Sequence, residues 1–275
     1  MVHGSTTSSD AGYPDAAIVI PVNVLEARGL VKEFEGTRAV DDVDLTVGSG
    51  ERVALLGPNG AGKTTTLFMC LGVISADAGT ISVGGFAIPK QRSQAMEQVG
   101  FSAGYMPLAE RLRVGEFLHL YARLYGVEDV DARIQAALNR FNIGDYFDAM
   151  STALSSGQRT LVGIAKATLH RPELLVLDEP TASLDPDVAQ RVRKGLMRQC
   201  EEEGTSLLIT SHNMVEVERL CERVVFLSQG KVVANDSPHA VAALFGRDDL
   251  EGVFLQLADE QAEGLAVGAQ ETDRP

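Results

Sequence analysis

A chain of 275 residues, with 45% hydrophobic and 23% charged side chains, is long enough for one large domain or two small ones. That balance is globular and excludes a collagen-like, fibrous or wholly disordered chain. With 24 Lys and Arg against 38 Asp and Glu, the net charge of −14 is a poor basis for gripping nucleic acid, and no nucleic-acid partner is expected. A local site can still hold a nucleotide against that field. Cys70, Cys200 and Cys221 show neither metal nor redox spacing and read as buried thiols in a reducing, intracellular setting.

No apolar run approaches the roughly 20 residues of a membrane span. The early run over 16–20 is short, follows no basic residue and ends at Pro21, unlike a secretory signal. Any membrane role is therefore expected to come through a partner. Residues 1–22, rich in Ser, Thr, Gly and Asp as far as about Asp15, are expected to be a flexible extension. Strands are predicted at 24–27 and at 44–47, the second stopped by Gly48-Ser49-Gly50. Arg52-Val53-Ala54-Leu55-Leu56 runs apolar into Gly57, as a buried parallel strand does. Residues 80–83 before Gly84-Gly85 read as a hairpin arm.

Helical spacing puts Phe117, Leu120, Tyr121, Leu124 and Tyr125 on one stripe of 116–125, and Ile134, Leu138 and Phe141 on one stripe of 131–141. Apolar strands follow at 174–177 and 206–209, with a charged helix over 187–203 between them. Residues 223–227 and 231–234 bracket the turn Gln229-Gly230. Beyond Ser237, the residues Val241, Leu244, Phe245, Val253, Phe254 and Leu257 point to helices docked on the body, with a loose polar end after Gly264. Strands alternating with helices argue for an α/β class with a mostly parallel sheet. The helix-rich stretch at about 101–169 reads as an insertion. The predicted organisation is an extension over 1–22, an α/β domain over 23–235 and a helical tail over 236–275.

The sharpest chemical signal is Gly57-Pro58-Asn59-Gly60-Ala61-Gly62-Lys63-Thr64-Thr65, which fits G-x-x-x-x-G-K-[ST] between a buried strand and a helix. Glycines let backbone N–H groups wrap phosphate oxygens, and a helix start adds positive potential. Lys63 supplies a cation for β- and γ-phosphates, and Thr64 a hydroxyl for Mg²⁺. The bland reading, a Gly-rich turn with an incidental lysine, needs strand and helix to flank it by chance. Next, Leu174-Leu175-Val176-Leu177-Asp178-Glu179 delivers two acids to a strand's carboxyl end, where α/β proteins bind ligands. Asp178 is a candidate for holding Mg²⁺, and Glu179 for orienting and deprotonating water. Adjacent acids alone are often solvated loop residues; the phosphate loop gives them meaning.

Leu154-Ser155-Ser156-Gly157-Gln158-Arg159 stands before a helix and reads either as an ordinary N-cap or as a second anion site. Ser183-Leu184-Asp185-Pro186 reads by default as a helix start with proline in the first turn. Thr210-Ser211-His212 ends a buried strand; His212 is either structural or in reach of a γ-phosphate.

In order and spacing, these five elements resemble the ATP-binding cassette ATPases, the nucleotide-binding subunits of ABC transporters. The resemblance spans about 24–257, and the LSSGQ-type signature is its most specific member. It implies a phosphate-loop ATPase core with an antiparallel β subdomain and an inserted helical subdomain. It also implies that residues 57–65 form the Walker A loop, Asp178 and Glu179 the Walker B acids, and residues 154–158 the signature, with Ser156 where glycine is commonest. Ser183, Leu184 and Asp185 match the D-loop, and His212 the switch histidine. Phe34 falls where the family stacks an aromatic ring on adenine, with simple core packing the alternative.

One element departs. The family's mid-chain glutamine, which touches Mg²⁺ and senses the permease, maps onto Gly104. Similar loss occurs in the ABC-2-type export ATPases, which the chain also resembles at 155–160 and 181–186. The resemblance therefore implies an ATPase using ATP and Mg²⁺ that powers export through a separate ABC-2-type membrane permease. It further implies work as a homodimer, in the cytoplasm on the inner face of the membrane. A soluble non-transport cassette ATPase, such as one for cluster assembly, and an ATP-sensing switch are the rival readings. Tyr105, Met106, Pro107 and Leu108 form an apolar cluster that reads either as a permease-docking loop or as a loop folded over its own core.

Overall fold

The computed structural model describes residues 23–104, 106–182 and 184–272, with side chains as far as Ala262. The predicted extension over 1–22 lies outside the described residues. The apolar run at Arg52–Leu56 forms β3. Its lack of alternation has a physical reason: Val53 and Leu55 enter one core while Ala54 and Leu56 enter another. β3 shares a six-stranded sheet with β6 (Val99–Ala103), β7 (Leu174–Asp178), β8 (Ser206–Thr210), β9 (Arg223–Ser228) and β10 (Lys231–Asp236). The order is β10-β9-β3-β8-β7-β6, with β10 alone antiparallel to its neighbour. The β9–β10 hairpin turns through Gln229 and Gly230, both at positive φ, as a tight two-residue hairpin requires.

A second sheet, antiparallel throughout, has the order β2-β1-β4-β5. Its strands are β1 (Asn23–Phe34), β2 (Thr37–Gly48), β4 (Ala78–Val83) and β5 (Phe86–Ile88). β1 and β2 are far longer than the predicted 24–27 and 44–47. Pairing with each other, and of β1 with β4, extends them through several bulges and carries β1 past Gly29, where the apolar pattern fails. The inner face of this sheet and one face of β3 bury Leu25, Leu30, Val40, Val43 and Leu45 completely or nearly so.

The helices α1 (Lys63–Cys70) and α2 (Arg92–Glu97) serve this β-rich half. α3 (Val114–Leu124), α4 (Val130–Phe141) and α5 (Ser156–Ala167) build the helical insert, and α5 packs on the edge strand β6. α6 (Pro186–Glu203) and α7 (Met214–Leu220) connect β7 to β8 and β8 to β9. Arg133 and Arg140 of α4 both reach Glu203 of α6, at 2.9 and 2.8 Å, in a largely buried network. The predicted insert over 101–169 is corrected at its start. Residues 101–103 belong to β6, because Phe101 and Ser102 pair in parallel register with Val176 and Leu177.

The tail forms α8 (Pro238–Leu244) and α9 (Leu250–Thr272). Val241, Leu250, Val253 and Leu257 join the larger core, so this tail is packed against the α/β domain. Helical backbone continues beyond Gly264 as far as Thr272. The three cysteines are free and buried, and burial raises the Cys70 thiol to about 12 and Cys200 to about 11. Among the described residues no helix is long and apolar enough to cross a membrane.

Candidate active site

β3 ends at Leu56, and the chain wraps through a glycine-rich loop into α1, whose first residue is Lys63. At Gly62 the backbone has φ +100°, and a Cβ would stand 2.4 Å from the Ala39 carbonyl, so only glycine fits. Lys63 is 8% exposed, and its Nζ donates to the carbonyls of Gly57 at 2.6 Å and Pro58 at 2.9 Å. Burial lowers its pKa, and the carboxylates of Glu179 and Asp178 partly oppose that. The ammonium is thus stored inside the loop that a phosphate would enter.

β7 brings Asp178 to the same edge, 4% exposed, and the parallel register sets it opposite Thr210 of β8. The Thr210 hydroxyl donates to Asp178 Oδ1 at 2.6 Å and accepts the Glu179 N–H at 3.0 Å. One buried hydroxyl therefore locks both acids. Glu179 stands at φ +52°, a strained backbone for a non-glycine residue and one that clusters at functional sites. Its Oε1 lies 3.1 Å from His212 Nε2, and its Oε2 accepts the His212 backbone N–H at 3.2 Å. Burial pushes the Glu179 carboxyl above the usual carboxylate range, with His212 pulling it back down. A carboxyl shifted this way is a better match for proton abstraction near neutral pH than a solvated one.

Phe34 ends β1; the residue is 45% exposed, and the Lys32 ammonium lies 5.3 Å from its ring centroid. Phe34, Asn59, Gly60, Gly62, Lys63, Thr64, Thr65, Asp178, Glu179 and His212 line one cleft of about 420 Å³, together with Ala39. Gly57, Pro58 and Ala61 are buried behind the loop. The five remaining sequence candidates lie elsewhere. Ser155 and Gln158 satisfy each other as a capping box at the start of α5: Ser155 Oγ accepts the Gln158 N–H, and Gln158 Oε1 accepts the Ser155 N–H. Gly157 is buried against Val188, and Ser156 is exposed on a different groove with Gly104, Met106, Pro107 and Arg159. Asp185 is exposed at the start of α6; Ser183 lies outside the described residues.

Gly104, where the resemblance expects a glutamine, has a steric explanation. Its N–H donates to the Asp178 carbonyl at 2.9 Å, and a Cβ would come 2.6 Å from the Glu179 carbonyl. The chain passes too close to the acids for any side chain. In the apolar cluster, Met106 is 45% exposed, Leu108 is 7% exposed within the core, and Tyr105 lies outside the described residues. Leu108 is therefore part of the loop's own packing, while Met106 remains at the surface. Sequence reasoning missed Ala39, Thr210 as a partner of both acids, and two residues of α9 near the loop. Phe254 presents its ring to His212 at 5.9 Å between centroids, and Gln261 donates to the Asn59 carbonyl at 2.9 Å. The only sequence signal for Thr210 was its place at the end of a buried strand before His212.

A phosphate loop, a strand-borne acid pair and a histidine around one cleft, on a mostly parallel sheet flanked by a β subdomain and a helical insert, define a phosphate-loop nucleoside triphosphatase. A profile of the family described as ABC transporter matches residues 40–182. Nod factor export ATP-binding protein I of Burkholderia lata is 37% identical over 81% of this chain and 73% of its own length. Lipopolysaccharide export system ATP-binding protein LptB of Escherichia coli is 37% identical over 78% of this chain and 90% of its own. A solved ATP binding subunit of an ABC transporter superposes with a TM-score of 0.77 at 28% identity, covering 85% of this chain and 99% of that one. The chain belongs to the ABC transporter family. It is an ATP-binding, ATP-hydrolysing subunit of that family.

Proposed function

We propose that the cleft binds ATP with adenine on Phe34 and the triphosphate in the loop over 57–65, and that hydrolysis there powers export through an ABC-2-type permease. The observation that carries the site assignment is the convergence of Lys63, Asp178, Glu179 and His212 on one cleft. Backbone N–H groups of the loop and the start of α1 hold phosphate oxygens. Lys63 then exchanges its carbonyl partners for the β- and γ-phosphates. Glu179 orients a water and takes its proton; His212 holds that carboxylate in place, and Thr210 fixes the Glu179 backbone by accepting its N–H. Thr64 and Asp178 are hard oxygen donors on the same cleft, and two protein donors suit Mg²⁺, which keeps waters and phosphate oxygens for its remaining positions. Mg²⁺, when bound, offsets negative charge on the transferring phosphate.

The signature residues Ser155, Ser156, Gly157 and Gln158, with Asp185, stand apart from this cleft, and all but Gly157 are at least partly exposed, which supports their serving a second copy of the chain. In such a pair the α5 start of one subunit closes the nucleotide of the other, excludes water and strengthens every charge contact. ATP then favours the closed pair, and loss of the γ-phosphate releases it. The names of the two export relatives support the direction of transport. A permease would hold the subunit at the inner face of the membrane. Glu179→Gln tests the site: turnover is expected to fall at least about a hundredfold with ATP affinity within about twofold. Native turnover in that variant would remove Glu179 from the base role.

A further inference from the structure

α9 lies outside the stretch matched by the family profile, yet it touches the cleft at two separate points. Val253 and Leu257 are buried in the core and fix the helix against α7, and the Leu250 N–H donates to Glu218 of α7 at 2.9 Å. With that stripe seated, Phe254 and Gln261 project together toward the nucleotide cleft. They are seven residues apart, about 10 Å along the helix axis. Phe254 meets the His212 ring edge-on, at 84° between planes. Gln261 Nε2 donates to the Asn59 carbonyl and lies 3.6 Å from where a Gly60 Cβ would stand.

Each contact has a consequence at the site. The His212 side chain is 44% exposed, and its pairing with Glu179 alone leaves the ring free to turn about its own axis. An aromatic edge contact selects one ring orientation. At the loop, a carbonyl accepts only, so the amide of Gln261 has one possible orientation. A trans peptide holds its C=O and N–H pointing in opposite directions. Fixing the Asn59 carbonyl toward α9 therefore fixes the Gly60 N–H away from it. The Gln261 Oε1 atom is buried without a hydrogen-bond partner among the described residues. Such an unsatisfied acceptor costs free energy, and packing alone does not account for it.

We infer that α9 is a brace acting within the subunit: Phe254 and Gln261 are positioning residues, the first setting His212 for turnover and the second setting the phosphate loop for ATP. The inference rests on the cleft being the hydrolytic site, and it extends the working ATPase beyond the cassette proper into the C-terminal helix.

The test uses the full chain. Phe254→Leu keeps the apolar contact with the core and removes the ring; it is expected to lower kcat about three- to tenfold with ATP affinity unchanged within about twofold. Phe254→Tyr keeps the ring and is expected to restore kcat. Gln261→Ala is expected to weaken ATP binding about three- to tenfold, the range of one lost hydrogen bond, with little change in kcat. Thermal unfolding of each variant separates these effects from a general loss of fold. Folded Phe254→Leu and Gln261→Ala proteins with native kcat and native ATP affinity would overturn the brace. If Phe254→Leu does not fold, Gln261→Ala decides alone. Glu179→Gln is run beside them: if it is inactive while the α9 variants are native, only the brace fails, whereas native turnover in Glu179→Gln removes Glu179 from the base role and with it the ground on which the brace rests.

Discussion

Thr210 shows how much of this site is set by a single hydroxyl. It donates to Asp178 and accepts from the backbone of Glu179, both at hydrogen-bond distance and wholly buried. Thr210→Val preserves shape and removes the group. The expected result is a loss of about 1–3 kcal/mol in stability from the unsatisfied partners. Turnover is expected to fall about tenfold or more, with a higher Mg²⁺ concentration for half-maximal rate. Thr210→Ser is expected to recover most of both. Unchanged Mg²⁺ dependence in a folded Thr210→Val protein would show that the hydroxyl does not position Asp178.

Lys166 tests the electrostatics of the insert. Its Nζ donates to the Phe101 carbonyl at 3.0 Å, and burial lowers its pKa to about 8. The unfolded chain binds that proton more tightly than the folded one between about pH 8 and 10.5, so stability from this group rises with pH across that window. The difference in unfolding free energy between wild type and Lys166→Met is expected to move toward wild type by on the order of 2–3 kcal/mol over that window, read by denaturant titration. A flat difference would mean that Lys166 is solvated. Neither residue's role was legible in the sequence. Each depends on neighbours brought together by the sheet, as do Gln261 and Asn59, 202 positions apart.

At the scale of elements, the local signals held where contiguous residues do the work. The loop over 57–65 and the strand Leu174–Asp178 could be read because phosphate chemistry needs consecutive backbone groups and buried parallel strands are apolar throughout. β5 escaped because three residues carry no period, and β6 because its Gly100, Ser102 and Ala103 dilute an apolar signal. The α4–α6 contact was equally hidden. Gly195 sits mid-helix in α6, where glycine is normally a defect, yet a Cβ there would meet the Phe141 ring at 2.2 Å. Alanine would gain about 0.5–1 kcal/mol in helix propensity and lose about 1–3 kcal/mol to overpacking. Overpacking wins, because Phe141 is 1% exposed and cannot yield. Gly195→Ala is expected to lower stability by about 1–2 kcal/mol, measured by urea unfolding, with ATP affinity retained. A stabilised variant would mean that α4 and α6 move apart freely.

For the whole molecule, the motifs fall in two places. Lys63, Asp178, Glu179 and His212 share a cleft, while Ser156 at the start of α5 lines another groove. On the proposed pairing, a second copy supplies the other half of the site, the symmetric arrangement of most homodimers. Mixing two inactive variants tests that claim directly. Lys63→Ala breaks the loop half and Ser156→Arg the signature half, and steady-state phosphate release is read for each alone and for an equal mixture. If the halves come from different subunits, mixed pairs carry one intact site, and the mixture recovers up to about a quarter of native turnover. A mixture no more active than its components would show that Lys63 and Ser156 act within one chain, contradicting the shared site.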